Sequence, residues 1–202
     1  MKNMKKVLLA VFVIFLAGNI QAQRIKLVEG NLKFLKGVKD LNLQYTYDDM
    51  KVGKYSEADY LAKKTEEYNN KEAGRGDKWA TMWTEDREKR FEPKFELLFN
   101  KYIMKKDAVA EQNSTDAEYT MILHTYFTEP GYYIGISSAP ATINCKAIFV
   151  KTSDPNTVLA KIDIKKSPGN SGAGWDTGER IKEAYAKAGK ELAKFLLKNK
   201  AF

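Results

Sequence analysis

The sequence predicts an α/β fold: a two-layer sandwich in which a mixed, mostly antiparallel sheet packs against about three helices. Three observations predict it. Apolar residues alternate with a period of two near 41–47, 119–127, 141–149 and 158–164. They recur at helical spacing in three other stretches, and the order along the chain is strand, two helices, three strands, one helix. One-faced strands and amphipathic helices must bury their apolar faces against each other, and a two-layer packing does this.

Two short basic-apolar runs, RIKLVEG and LKFLKG, flank Gly30 and are expected as strands. In VKDLNLQYTYDDM, Leu41, Leu43, Tyr45 and Tyr47 point one way and Asp40, Asn42, Gln44 and Thr46 the other, the pattern of a half-buried strand. From Ser56 the period becomes helical. Ser56 and Asp59 form a variant capping box, and Gly74 is the expected stop. A GRGDK loop then leads into WATMWTEDREKRFEPKFELLFNKYIMKK. Phe95, Leu98, Phe99, Tyr102 and Ile103 make its core stripe, and Pro93 should split or bend the helix.

Three strands follow. Their shared faces are Tyr119, Met121, Leu123, Thr125 and Phe127, then Ala141, Ile143, Cys145, Ala147 and Phe149, then Val158, Ala160, Ile162 and Ile164. The turn signal SDPN joins the last two into a hairpin. EPGYYIGISSAP is a long aromatic loop between the first two. The final helix, about 177–199, carries Ile181, Ala184, Tyr185, Ala188, Leu192 and Phe195 on one stripe.

The chain opens MKNMKKVLLAVFVIFLAGNIQAQ, with a basic start, an apolar run from Val7 to Ala17 and a polar end at Ala22. This is the form of a secretory signal peptide over 1–22, with cleavage expected before Gln23. The apolar run is short for a bilayer span, which needs about 20 residues. Residues 23–202 are expected to form a single domain without a transmembrane segment. The full chain has a net charge of +8. The first 22 residues hold three lysines and no acid, which leaves +5. That balance is too mild for the dense basic face of a nucleic-acid binder. Cys145 is the sole cysteine, so no internal disulfide can form, and it is expected as a buried, inert thiol.

Residues 167–189 contain Gly172, Gly174 and Gly178 before a helix, in outline a phosphate loop. A dinucleotide site needs a second parallel strand after that helix, and the sequence ends there. Asp176 would also meet a phosphate at the helix N-terminus with like charge. The loop is therefore expected to turn the chain, with Asp176 or Thr177 as cap and Trp175 packed over the sheet edge. No cofactor and no metal are expected. His124, the lone histidine, lacks partners for zinc or for nucleophile activation. Arg75-Gly76-Asp77 is expected as a turn, and the four lysines 187, 190, 194 and 198 as a solvated helix face.

The least ordinary feature is aromatic. Trp79 and Trp83 lie four apart on one helix side, where they suit either a core stripe or a ligand platform. Tyr126, Tyr132 and Tyr133 surround the 128–140 loop. These five are the candidate partner or ligand surface, since exposed Trp and Tyr rings offer flat faces to sugars and peptides.

The strand leading to Asp154, Pro155, Asn156 and Thr157, the returning strand, and the closing GAGWDTGERIKEAYAKAG resemble a group of exported bacterial envelope modules. These are α/β proteins related to the amino-terminal domain of TolB and to lipoprotein activators of peptidoglycan synthases. The similarity spans about 38–198, and the chain lacks the lipid-anchor cysteine. The resemblance implies a periplasmic or extracellular module without chemistry of its own that docks an envelope protein. The alternatives are a glycan or small-ligand binder using the aromatic loop, or a hydrolase of an envelope polymer using Asp48, Asp49, Glu85 and Asp86. A hydrolase would need two of these carboxylates in one cleft.

Overall fold

The computed structural model describes residues 23–170 and 174–202. Residues 1–22, expected as a signal peptide, and Gly172 lie outside the described residues. The first strands are β1 (Arg24–Gly30), β2 (Asp40–Thr46) and the short pair β3 (Lys51–Val52) and β4 (Tyr55–Ser56). The helices α1 (Glu57–Asn69), α2 (Arg75–Asp86) and α3 (Glu92–Ile103) come next. Then follow β5 (Val109–Gln112), β6 (Tyr119–Glu129), the small hairpin β7 (Tyr132–Tyr133) and β8 (Ser138–Ala139), β9 (Thr142–Lys151), β10 (Asp154–Pro168) and α4 (Thr177–Lys198).

The main sheet runs β1-β10-β9-β6-β2-β5. Its long strands β1, β10, β9 and β6 pair antiparallel, whereas β2 lies parallel to both β6 and β5. The sheet is thus mixed, and α3 and α4 cover one face. From that face Leu41, Leu43, Met121, Leu123, Ile143, Cys145, Ala147, Phe149, Ile162 and Ile164 enter one continuous core with Phe95, Phe99, Ile103, Tyr185 and Leu192. The two helices cross closely at Gly189, where a Cβ would stand 2.4 Å from the Phe95 carbonyl oxygen. Cys145 is wholly buried, and burial pushes its thiol far above the ordinary range.

Several expectations need correction. LKFLKG does not form a strand but a single 3-10 turn, Lys33–Leu35, whose Leu35 plugs the core and whose Phe34 packs on Tyr119 and Phe149. Short apolar runs carry too little periodicity to separate these outcomes. The hairpin between β9 and β10 reverses at Thr152–Ser153, and Asp154 already pairs with Lys151.

Pro93 does bend the order of the helix. The segment Arg87–Phe91 is a π turn, in which the Glu92 amide donates to Arg87 five residues back. That wider turn accommodates a proline that cannot donate, so α2 and α3 continue through it.

Candidate functional site

The site is built from one end of the helical layer. Ser56 caps α1, accepting from the Asp59 amide at 3.1 Å. Helix α1 ends near Tyr68, and Gly74 at φ 77° turns the chain in the left-handed region before α2. The Arg75-Gly76-Asp77 tripeptide is therefore the first turn of a helix, not a loop. Gly76 is needed there because a Cβ would stand 2.0 Å from the Thr65 carbonyl oxygen. Asn69 locks the crossing by accepting from the Gly76 amide at 2.7 Å and donating to Asp77 at 3.1 Å. From this start, Arg75, Lys78, Trp79 and Met82 fall at i, i+3, i+4 and i+7, along one face of α2.

The second wall is the entry to α4. Asp176 caps the helix by accepting from the Glu179 amide, and it binds Arg90 at 2.8 Å. Burial pushes the Asp176 carboxyl up, but Arg90 and the backbone amides outweigh it and hold the carboxyl below its ordinary range. The carboxylate thus occupies the helix N-terminus. Gly174 sits at φ 72°.

Trp175 departs from expectation. It does not pack over the sheet edge but stands 74% exposed. Among the described residues its one ring neighbour is Tyr133, edge-on at 4.8 Å between centroids. Arg180, itself buried, ties this wall together. Its guanidinium donates to the carbonyls of Pro130 at 3.2 Å and Gly174 at 2.7 Å, and to the Thr177 hydroxyl at 3.0 Å. The aromatic hairpin and the Trp175 loop are therefore held by a single side chain.

Between the walls runs an open cleft. One hollow, about 360 Å³, is lined by Trp79, Met82, Trp83 and Trp175 among others. A second, about 330 Å³, adjoins it and is lined by Glu72, Arg75, Lys78, Trp79 and Met82. Both share Tyr68. Met82 is half exposed. Trp79 packs against Tyr60, Tyr68 and Trp83 at 5.6–5.9 Å, so the floor is a small aromatic stack. Volumes of this size lie at the lower end of small-molecule sites, which span about 300–1,000 Å³.

Of the five aromatic residues singled out by sequence, Trp79 lines both hollows, and Trp83 lines one of them but is buried, its indole N–H donating to Glu57 at 2.7 Å. Tyr133 props Trp175. Tyr132 is exposed on the β7–β8 hairpin, with its hydroxyl 3.2 Å from Ser137. Tyr126 belongs elsewhere, on the sheet face turned away from α4, where it stacks on His124 and lies under the Lys146 ammonium. Sequence reasoning missed Trp175, Met82 and Tyr68 as cleft residues. The helical spacing of Trp79 with Met82 and Arg75 was the signal available for that face.

Beneath the cleft lies a buried polar string. The Tyr185 hydroxyl meets Thr125 at 2.8 Å, the Tyr47 hydroxyl donates to Glu92 at 3.0 Å, and Arg87 spans the Tyr47 ring and the Glu57 carboxylate. Burial pushes the Glu92 carboxyl up, only partly countered by Tyr47. The folded state therefore holds that proton more tightly than the unfolded chain, which titrates near ~4.3. Stability from this group is full below that value and falls as pH rises through the higher folded value. Glu92→Gln keeps the acceptor for Tyr47 and removes the charge. Urea melts should show the variant gaining on the wild type as pH rises above ~5, with the difference gone below ~4.

The carboxylates considered for hydrolysis have local partners where they lie on the helices: Glu85 pairs with Lys89 and Asp86 with Arg90. Asp48 and Asp49 occupy the turn after β2. Among the described residues, no group of three or more His, Cys, Asp or Glu could hold a metal, and no helix is long and apolar enough to cross a membrane.

No protein-family model matches the chain, and no curated protein does. Among solved structures, the chain is similar to the PelC dodecamer of Paraburkholderia phytofirmans. The TM-score is 0.41 and the identity 10%, over 84% of this chain and 96% of that one. A single-substitution variant of the same dodecamer gives a TM-score of 0.37 at 10% identity, over 82% of this chain and 97% of that one.

Proposed function

We propose that the chain is an exported binding module of the cell envelope, without chemistry of its own, and that the cleft between α2 and the entry to α4 is its ligand surface. The observation that carries this reading is Trp175, a large aromatic side chain left 74% exposed, braced by Tyr133 and facing a floor of Trp79 and Met82. Exposing that much apolar surface is unfavourable for the isolated fold, and contiguous patches of this kind mark interaction sites. Arg180 supports the same reading, because it fixes the Trp175 loop and the aromatic hairpin relative to each other. Export is supported by the signal-like residues 1–22.

Co-sedimentation of the purified protein with isolated envelope fractions tests the reading. The wild type should be retained. Trp175→Ala should lose at least ~10-fold in retention while melting like the wild type, since truncating a central exposed aromatic removes binding energy of the order of 2 kcal/mol or more without touching the core. Equal retention of both proteins would contradict the assignment.

A further inference from the structure

The cleft carries spare cationic charge at one end only, and that asymmetry specifies its occupant. Four cationic residues gather near Tyr68: Arg75 and Lys78 line the hollow there together with the acid Glu72, and Lys64 and Lys71 stand against the Tyr68 ring. Three of them place their charge 5.6–5.8 Å from the Tyr68 ring centroid. Lys64 is already paired with Glu67 at 2.7 Å, and Arg75 meets Glu72 only at 3.9 Å between two exposed side chains. Lys71 and Lys78 have no carboxylate within ion-pair distance among the described residues, and both are exposed. At the Trp175 end the acids Asp86 and Asp176 line the hollow and share one cation, Arg90. One end thus carries spare cationic charge, and the other is aromatic, with two acids that share one cation.

We propose that the cleft binds an acidic saccharide, one uronic-acid carboxylate meeting Arg75 and Lys78 while a neighbouring pyranose ring stacks between Trp175 and the Trp79–Met82 floor. The inference rests on the cleft being the ligand surface and names its ligand class. Two adjoining hollows of about 360 and 330 Å³ suit consecutive flat rings. They do not suit a docked helix, whose diameter with side chains is about 10–12 Å. Nor does the cleft offer a free strand edge for an extended peptide, because its walls are the side chains of α2 and the α4 entry. An aromatic face takes the apolar C–H face of a sugar, and a guanidinium beside an ammonium takes its carboxylate.

The test uses titration calorimetry and tryptophan fluorescence with glucuronate-containing hyaluronan oligosaccharides, and with the same oligosaccharides after carboxyl reduction. The proposal expects saturable binding of the acidic form that weakens with added salt. It expects at least ~10-fold loss on carboxyl reduction and a similar loss in Lys78→Ala and Arg75→Ala, the size of one charge-assisted contact. Trp175→Ala should abolish the fluorescence change. Equal binding of the neutral oligosaccharide, or binding that survives in both cation variants, overturns the acidic class. Absence of any saccharide binding, with envelope retention still dependent on Trp175, overturns the saccharide inference and leaves the ligand surface standing. Absence of both overturns both.

Discussion

Phe95→Ala is expected to destabilise the fold by about 3–5 kcal/mol, the usual range for removing a fully buried phenylalanine. Phe95 has no exposed surface and lies where the two layers and two helices meet. Its ring stacks near-parallel on Phe99 at 5.7 Å and meets Tyr45 of the sheet edge-on at 6.0 Å, while its carbonyl touches the Gly189 crossing of α4. The close crossing at Gly189 leaves little freedom to collapse into the void, which places the loss toward the upper part of the range. Urea unfolding should show a lower midpoint with an unchanged slope. A loss below ~1 kcal/mol would mean that the helical layer does not pack as described.

Arg180→Met is the second large effect, expected at about 2–4 kcal/mol from bonds made by a charged donor. Methionine fills the buried volume but leaves the Pro130 and Gly174 carbonyls and the Thr177 hydroxyl without their donor. The loss should also be local in character. Amide exchange should accelerate at Tyr132, Tyr133 and Trp175 more than in the β9–β10 hairpin, because the side chain ties the site's two arms to α4. Uniform acceleration across the sheet would instead make Arg180 a general core residue.

Much of the sheet was legible because its strands have one buried face. The period-two runs in β2, β6, β9 and β10 and the Ser56 cap of α1 appear where the sequence puts them. The parallel pairing of β2 with β6 was not legible, since it depends on how the intervening helices return the chain. Four-residue β5 carried too short an alternation to register. Arg75-Gly76-Asp77 reads as a turn because Gly74 looks like a helix stop, whereas α1 already ends at Asn69 and Gly74 is the residue before the first turn of α2. Phe127 was placed in line with Thr125, but a bulge between them shifts the register.

The site was legible only in part. Trp79 and Trp83 share a helix side, yet helical spacing alone could not say that Trp79 lines both hollows while Trp83, buried and bonded to Glu57, lines one. Trp175 sits in an irregular connection, where no period predicts which way a side chain points. Tyr126 lies close to the aromatic loop in sequence, but strand alternation carries it to the far face of the sheet. Tyr68 joined the cleft only through the α1–α2 crossing at Gly76, a close approach visible in three dimensions alone.

The chain's three tryptophans make the most direct measurement possible. Each indole N–H gives its own proton–nitrogen correlation, so envelope material fractionated to saturating binding activity can be titrated into labelled protein. The Trp175 and Trp79 indole signals are expected to shift together. The Trp83 signal, whose N–H is held by Glu57, should move little. Shifts confined to residues on the opposite sheet face, such as Ile122 and Ile148, with the Trp175 indole unmoved, would contradict the cleft as the ligand surface.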